Sequence, residues 1–194
     1  MLQIAVLISG GGSNLQTLID AVETSGNKIF NICTVIADRN ATGIQRAKKA
    51  GIKTYIIDRK FGSEKLSSEI NEILKGKADY IVLAGFLSIL DKSFIKKWEK
   101  KIINIHPSLL PDFGGKGMYG KHVHEAVIKS GTKKSGCTVH YVDTGIDTGE
   151  IIKQKILEIN SNWDAEKLQE EVLKLEHILL PETVLFLSEK GKIK

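Results

Sequence analysis

The 194-residue sequence predicts an α/β fold: a mainly parallel sheet flanked by helices, with an antiparallel strand pair near the C-terminus and a long final helix. Three observations predict it. Six or seven strand-like runs alternate with helical patterns, the rhythm of a parallel sheet covered on both faces. A glycine-rich turn joins the first strand to the first helix, as in a Rossmann-like mononucleotide-binding unit. The loop between the last two strands is too short for a helical crossover, which leaves antiparallel pairing.

The elements follow in order. The strand candidates are Gln3–Ile8, Ile32–Ala37, Lys53–Ile57, Tyr80–Ala84, Ile102–Ile105, Cys137–Val142 and Glu150–Leu157. Helical stretches lie at about Asn14–Glu23, Gly43–Ala50, Glu64–Leu74, Ser93–Lys97 and Val123–Lys129. A final helix begins near Asp164, where Leu168, Val172, Leu175 and Leu179 keep helical spacing, and Pro181 is expected to kink or interrupt it. Neither a repeat nor a linker is visible, so one domain over residues 1–194 is expected.

Hydrophobic residues make up 42% and charged residues 26%, the balance of an ordinary globular protein. No apolar run reaches membrane-spanning length, and Met1-Leu2-Gln3-Ile4 lacks the basic start of a signal peptide and reads as a strand. Cys33 and Cys137 lie in strand-like runs without a Cys or His at metal-ligand spacing, so buried free thiols in a reducing cytoplasm are expected. The net charge of +5 comes from scattered lysines, including Lys190, Lys192 and Lys194 in the tail. With aromatics at 6% and no basic-aromatic interleaving, nucleic acid is not the expected partner; an anionic small molecule is.

The first strand runs into Ser9-Gly10-Gly11-Gly12-Ser13-Asn14-Leu15-Gln16. Successive glycines bring backbone N–H groups close to a ligand, and a helix N-terminus adds donors and partial positive charge, which together favour a phosphate. A tight turn capped by Ser13 or Asn14 needs no ligand, but three glycines exceed what a cap requires. The loop lacks the lysine of a nucleoside-triphosphate loop, and Leu15 stands where a dinucleotide fingerprint needs its third glycine. Asp38 at the end of the second strand is still placed to hold a ribose hydroxyl, so a nicotinamide-dependent oxidoreductase stays open here, as does a non-catalytic nucleotide-binding module.

The stretch Asn104-Ile105-His106-Pro107-Ser108-Leu109-Leu110-Pro111 is more specific. Residues two apart on a strand share a face, and the carboxyl ends of such strands are where α/β sheets bind ligands. His106 supplies a group that exchanges protons near neutral pH, and the Asn104 amide donates to a developing oxyanion. Further on, Cys137–Ile152 reads as strand, acidic glycine-containing loop and strand; its loop is either an ordinary turn or delivers Asp147 to pair with His106.

Together with Val82–Leu90 and Glu176-His177, these segments resemble the glycinamide ribonucleotide formyltransferases along essentially the whole chain. The wider folate-dependent formyltransferase superfamily shares the Asn-x-His-Pro-Ser-Leu-Leu-Pro stretch. Its members with an added C-terminal or N-terminal domain are longer than this chain's 194 residues accommodate. The resemblance implies direct, metal-free transfer of the formyl group of 10-formyltetrahydrofolate to the amine of 5-phosphoribosylglycinamide, in purine synthesis, by a monomer or homodimer. It implies catalytic roles for Asn104, His106 and Asp147 and a ribonucleotide site at Gly12, Ser13, Asn14, Leu15, Gln16 and Glu176. It also implies a folate site of Leu87, Ser88, Ile89 and Leu90 with Asn104 and Asp147. Two departures stand out. Glu64 occupies a position where relatives can carry an arginine associated with the folate tail, and Lys116 or Lys121 is the candidate replacement for its charge. The loop Asp112–Lys121 that holds them is long and glycine-rich, as a flap or a plain surface loop would be.

Overall fold

In the computed structural model, residues 1–26 and 29–190 are described; Lys192 and Lys194 of the basic tail lie outside them. The first strand, β1 (Leu2–Ile8), carries an unbroken apolar run, Ile4 to Ile8, that is wholly out of solvent. Such a run needs cover on both faces and fixes β1 near the middle of a sheet. Around it stand β2 (Phe30–Ala37), β3 (Thr54–Ile56), β4 (Tyr80–Leu83), β5 (Ile102–His106), β6 (Lys134–Tyr141) and β7 (Ile151–Glu158). The sheet order is β3-β2-β1-β4-β5-β6-β7.

Helices α1 (Ser13–Thr24), α2 (Ile44–Lys49), α5 (Lys121–Ser130) and α6 (Ala165–Lys190) bury Leu15, Leu18, Ala47, Val127, Leu168 and Leu180 with Ile4, Val6 and Ile8 in one core. Helices α3 (Ser63–Leu74) and α4 (Lys92–Lys97) bury Leu66, Ile70, Leu74 and Phe94 with Ala5 and Leu7 in a second core. Among the described residues, no helix is long and apolar enough to cross a membrane.

All seven expected strands form. The β6–β7 pair is antiparallel as expected, but the reversal begins one strand earlier, because β5 also pairs with β6 antiparallel. Pro181 does not interrupt its element: α6 runs continuously through it for 26 residues. The lost N–H costs one helical bond, whereas Leu179, Leu180, Val184 and Leu187 are buried on both sides of the proline and hold the helix to the sheet. Both cysteines are free; Cys137 is buried, but Cys33 is only partly covered.

Strand order reverses between β1 and β4, and the crevice at that point is the ligand site of open α/β sheets. Here the two loops are tied together: Ser9 N–H donates to Gly85 O at 3.0 Å, and Leu87 N–H donates to Ser9 Oγ at 2.8 Å.

Candidate active site

The β5 strand carries Asn104 and His106 to its carboxyl end, and the antiparallel β6 sets His140 directly opposite Asn104. Asn104 Nδ2 lies 3.1 Å from His140 Nε2, while His140 Nδ1 lies 2.8 Å from the Tyr141 carbonyl. A carbonyl only accepts, so His140 carries its proton on Nδ1 and receives the Asn104 amide on Nε2. Burial holds the His140 ring below the usual histidine range, which keeps it in this neutral form.

His106 is 3% exposed and donates from Nε2 to the Phe113 carbonyl at 2.9 Å. Its other nitrogen, Nδ1, faces Asp147 Oδ2 at 3.6 Å, and Asp147 Oδ1 stands 3.7 Å from His140 Nε2. These separations exceed hydrogen-bond length, so the carboxylate sits between the two imidazoles without a direct hydrogen bond to either. Asp147 has a φ of 57°, a left-handed backbone that a non-glycine residue adopts at a cost, and Gly115 N–H pins its Oδ2 at 3.0 Å.

These groups open onto a cavity of about 660 Å³. Leu87, Ser88, Ile89 and Leu90 form an apolar arc of its wall, and Gly115–Gly120 of the long loop form another part. Ile89 is 64% exposed, so it serves the cavity rather than the core. Asn14 and Glu176 line the polar end, joined by Asn14 Nδ2 donating to Glu176 Oε2 at 2.7 Å. Burial pushes the Glu176 carboxyl up to about 7, against the bond from Asn14 that favours its charged form.

Of the other glycine-loop residues, Gly12 caps α1 in a left-handed conformation, and neither Ser13 nor Asn14 makes a side-chain cap. The Leu15 side chain is buried in the core and does not line the cavity. Gln16 does not line the cavity; it faces a separate polar crevice between α1 and α2 with Arg46. Among the described residues, no cluster of three His, Cys, Asp or Glu side chains has metal-binding geometry.

A profile of the formyl transferase family matches residues 2–184. The chain belongs to that family. Among the solved structures similar to this chain is phosphoribosylglycinamide formyltransferase from Anaplasma phagocytophilum, at 37% identity and a TM-score of 0.86, covering 97% of this chain and 88% of that one. The enzyme of that name from Coxiella burnetii, solved with CHES, has 36% identity and a TM-score of 0.88 over 97% and 88% of the two chains. The chain is 38% identical to the chloroplastic phosphoribosylglycinamide formyltransferase of Vigna unguiculata over 192 residues, 97% of this chain and 61% of that one. With the trifunctional purine biosynthetic protein adenosine-3 of Drosophila melanogaster it shares 41% over 190 residues, 95% of its own length but only 14% of the relative's.

Asp38 is not free to hold a ribose hydroxyl. It is fully buried, and although burial alone would raise its pKa, hydrogen bonds from Arg39, Ser88 and Ser9 hold the carboxyl below the ordinary range. Ser88 Oγ donates to it at 2.5 Å and Arg39 binds both its oxygens. The residue on which an oxidoreductase reading relied is a structural clamp.

Glu64 is exposed on the first turn of α3 and stays outside the cavity, whose cations are Arg59, Lys92 and Lys116. None of the three forms an ion pair among the described residues, whereas Lys121 is held by Glu166 at 2.8 Å and lies outside the lining. Sequence reasoning missed Arg59, Lys92, His140 and His124. His124 lines the cavity while only 2% exposed, its Nδ1 has no partner among the described residues, and burial with the nearby His106 charge pushes its pKa down to about 4. Only strand register could have revealed His140 opposite Asn104.

Proposed function

We propose that the chain transfers the formyl group of 10-formyltetrahydrofolate to the amine of 5-phosphoribosylglycinamide, in de novo purine synthesis, directly and without a metal. One observation carries this reading. A proton-exchanging histidine, an amide donor and a carboxylate meet on a single cavity with an apolar arc at Leu87–Leu90 and a polar end at Asn14 and Glu176. A pteridine suits the arc, and a phosphorylated ribose with an amine suits the polar end beside the glycine loop.

The chemistry follows from the groups present. The substrate amine adds to the formyl carbon, and the former carbonyl oxygen becomes an oxyanion. Asn104 has given one N–H to His140 and keeps the other for that oxygen. Protonated His106 adds positive charge beside it, balanced by Asp147 at 3.6 Å. Collapse breaks the bond to N10 of the folate, which leaves as an amine and needs a proton, while the attacking nitrogen sheds one; His106 and Asp147 carry that proton. Glu176 holds the amine side of the ribonucleotide, and Gly12–Leu15 supplies backbone donors to its phosphate. Arg59, Lys92 and Lys116 provide the charge for the glutamyl carboxylates of the folate, in place of an arginine at position 64. Free Cys33 and Cys137 suit a cytoplasmic enzyme.

The test is an assay of tetrahydrofolate formation with both substrates in the presence of a chelator. Turnover that depends on both substrates and survives chelation is the expected result. No turnover by folded protein overturns the transfer, and loss on chelation overturns the metal-free route.

A further inference from the structure

The phosphate loop is gripped from behind by α2 and the turn that leads into it. Gly43 N–H donates to the Gly10 carbonyl at 3.0 Å, and Arg46 Nε donates to the Gly11 carbonyl at 2.8 Å. The same guanidinium reaches on to Gln16 Oε1 at 3.2 Å through Nη1, so it spans the loop and the first turn of α1. The approach is close enough to demand glycine: a Cβ on Gly43 would stand 2.9 Å from Gly10 O, 2.9 Å from Ile8 Cδ1 and 3.0 Å from Gly12 Cα.

In a planar trans peptide the C=O and the following N–H point in opposite directions. Holding the carbonyls of Gly10 and Gly11 against α2 therefore turns the N–H groups of Gly11 and Gly12 to the other side of the loop. Those donors are unspent. From Gly10 to Leu15, no backbone N–H donates to another described group, and the first to do so is Gln16, to Gly12 O at 2.9 Å. Six consecutive donors at a helix start are what an anion requires, and flexible glycines would not keep them aligned unaided.

We propose that Arg46 is a positioning residue for the ribonucleotide phosphate, with Gly43 as the contact that lets α2 come near enough. Arg46 acts through the Gly11 peptide, and its charge, unpaired with any carboxylate among the described residues, adds to the field at the loop. The inference rests on the phosphate reading of the glycine loop given above.

Arg46 is exposed, so Arg46→Ala and Arg46→Lys are expected to fold. In Arg46→Ala the KM for the ribonucleotide should rise about tenfold or more, the loss of a charged hydrogen bond, with the folate KM and the melting temperature unchanged. Arg46→Lys keeps the charge but not the fork and should recover only part of the loss. Calorimetry with inorganic phosphate and ribose 5-phosphate should show the same weakening, and it remains informative even if formyl transfer itself is not observed. An unchanged ribonucleotide KM and phosphate affinity in Arg46→Ala overturns the proposal. So does an equal loss for both substrates or a lowered melting temperature, since that marks a merely structural contact.

Discussion

Asn104 and His140 are cross-strand partners on β5 and β6, and the amide nitrogen of one lies 3.1 Å from Nε2 of the other. The contact fixes which way the Asn104 amide faces, because His140 Nδ1 is already committed to the Tyr141 carbonyl. If Asn104 is the oxyanion donor of the proposed reaction, Asn104→Ala is expected to lower kcat on the order of a hundredfold. His140→Ala should lower it about tenfold by releasing the amide, and the double variant should be no worse than Asn104→Ala alone. Additive losses in steady-state kinetics would show that His140 acts by some route other than Asn104.

Gly12 is left-handed at φ 69°, and a Cβ on it would stand 3.0 Å from Gly43 Cα. Gly12→Val should therefore disturb the phosphate donors and weaken ribonucleotide binding more than folate binding. Calorimetry with each substrate checks this. Equal losses for the two would point to a general defect of the fold.

Glu176 ties stability to pH. Its folded pKa is raised from 4.5 to about 7, so between those values the folded chain keeps a proton that the unfolded chain has lost. Stability from this group therefore declines as pH rises through that window, by at most about 1.4 kcal/mol per pH unit. His124, lowered from 6.5 to about 4, works the other way and costs stability as pH falls from 6.5 toward 4. The difference between Glu176→Gln and the parent isolates the carboxyl. Urea unfolding should show the variant gaining stability relative to the parent between pH 5 and 7, and a difference flat with pH would contradict the shift.

The cation set of the cavity is open to the same kind of check. Arg59 lines the wall without an ion-pair partner among the described residues, and Glu64 does not reach it. Arg59→Ala should raise the KM for 10-formyltetrahydrofolate about tenfold and leave kcat and the ribonucleotide KM in place. A further gain of affinity with each added γ-glutamyl group in the parent, reduced in the variant, would locate the tail at this end of the cavity.

Seven strands were legible because each carries a compact apolar run bounded by glycine or polar residues; the placing of Asn104 and His106 at one strand end was legible from residue type and spacing, whereas the Asp147 loop read equally as an ordinary turn and was expected beside His106 only from the family resemblance. What stayed hidden depends on register and long-range packing. His140 gains meaning only once β6 lies antiparallel to β5, and Arg59 only once its single helical turn is folded against the cavity. The interruption expected as one outcome at Pro181 did not occur for a related reason: the sequence displays the missing N–H but not the buried neighbours that outweigh it. Asp38 misled in the opposite sense, its carboxylate looking available until Ser88 and Arg39 came into contact with it.

The most direct measurement is mass spectrometry of the product formed from 5-phosphoribosylglycinamide and 10-formyltetrahydrofolate by the parent chain and by His106→Ala. The parent should yield the ribonucleotide carrying one added formyl group, together with tetrahydrofolate in equal amount. His106→Ala, still folded, should yield it on the order of a hundredfold more slowly or worse. Absence of formylated product from the folded parent chain, or a His106→Ala rate equal to the parent's, would contradict formyl transfer at this site.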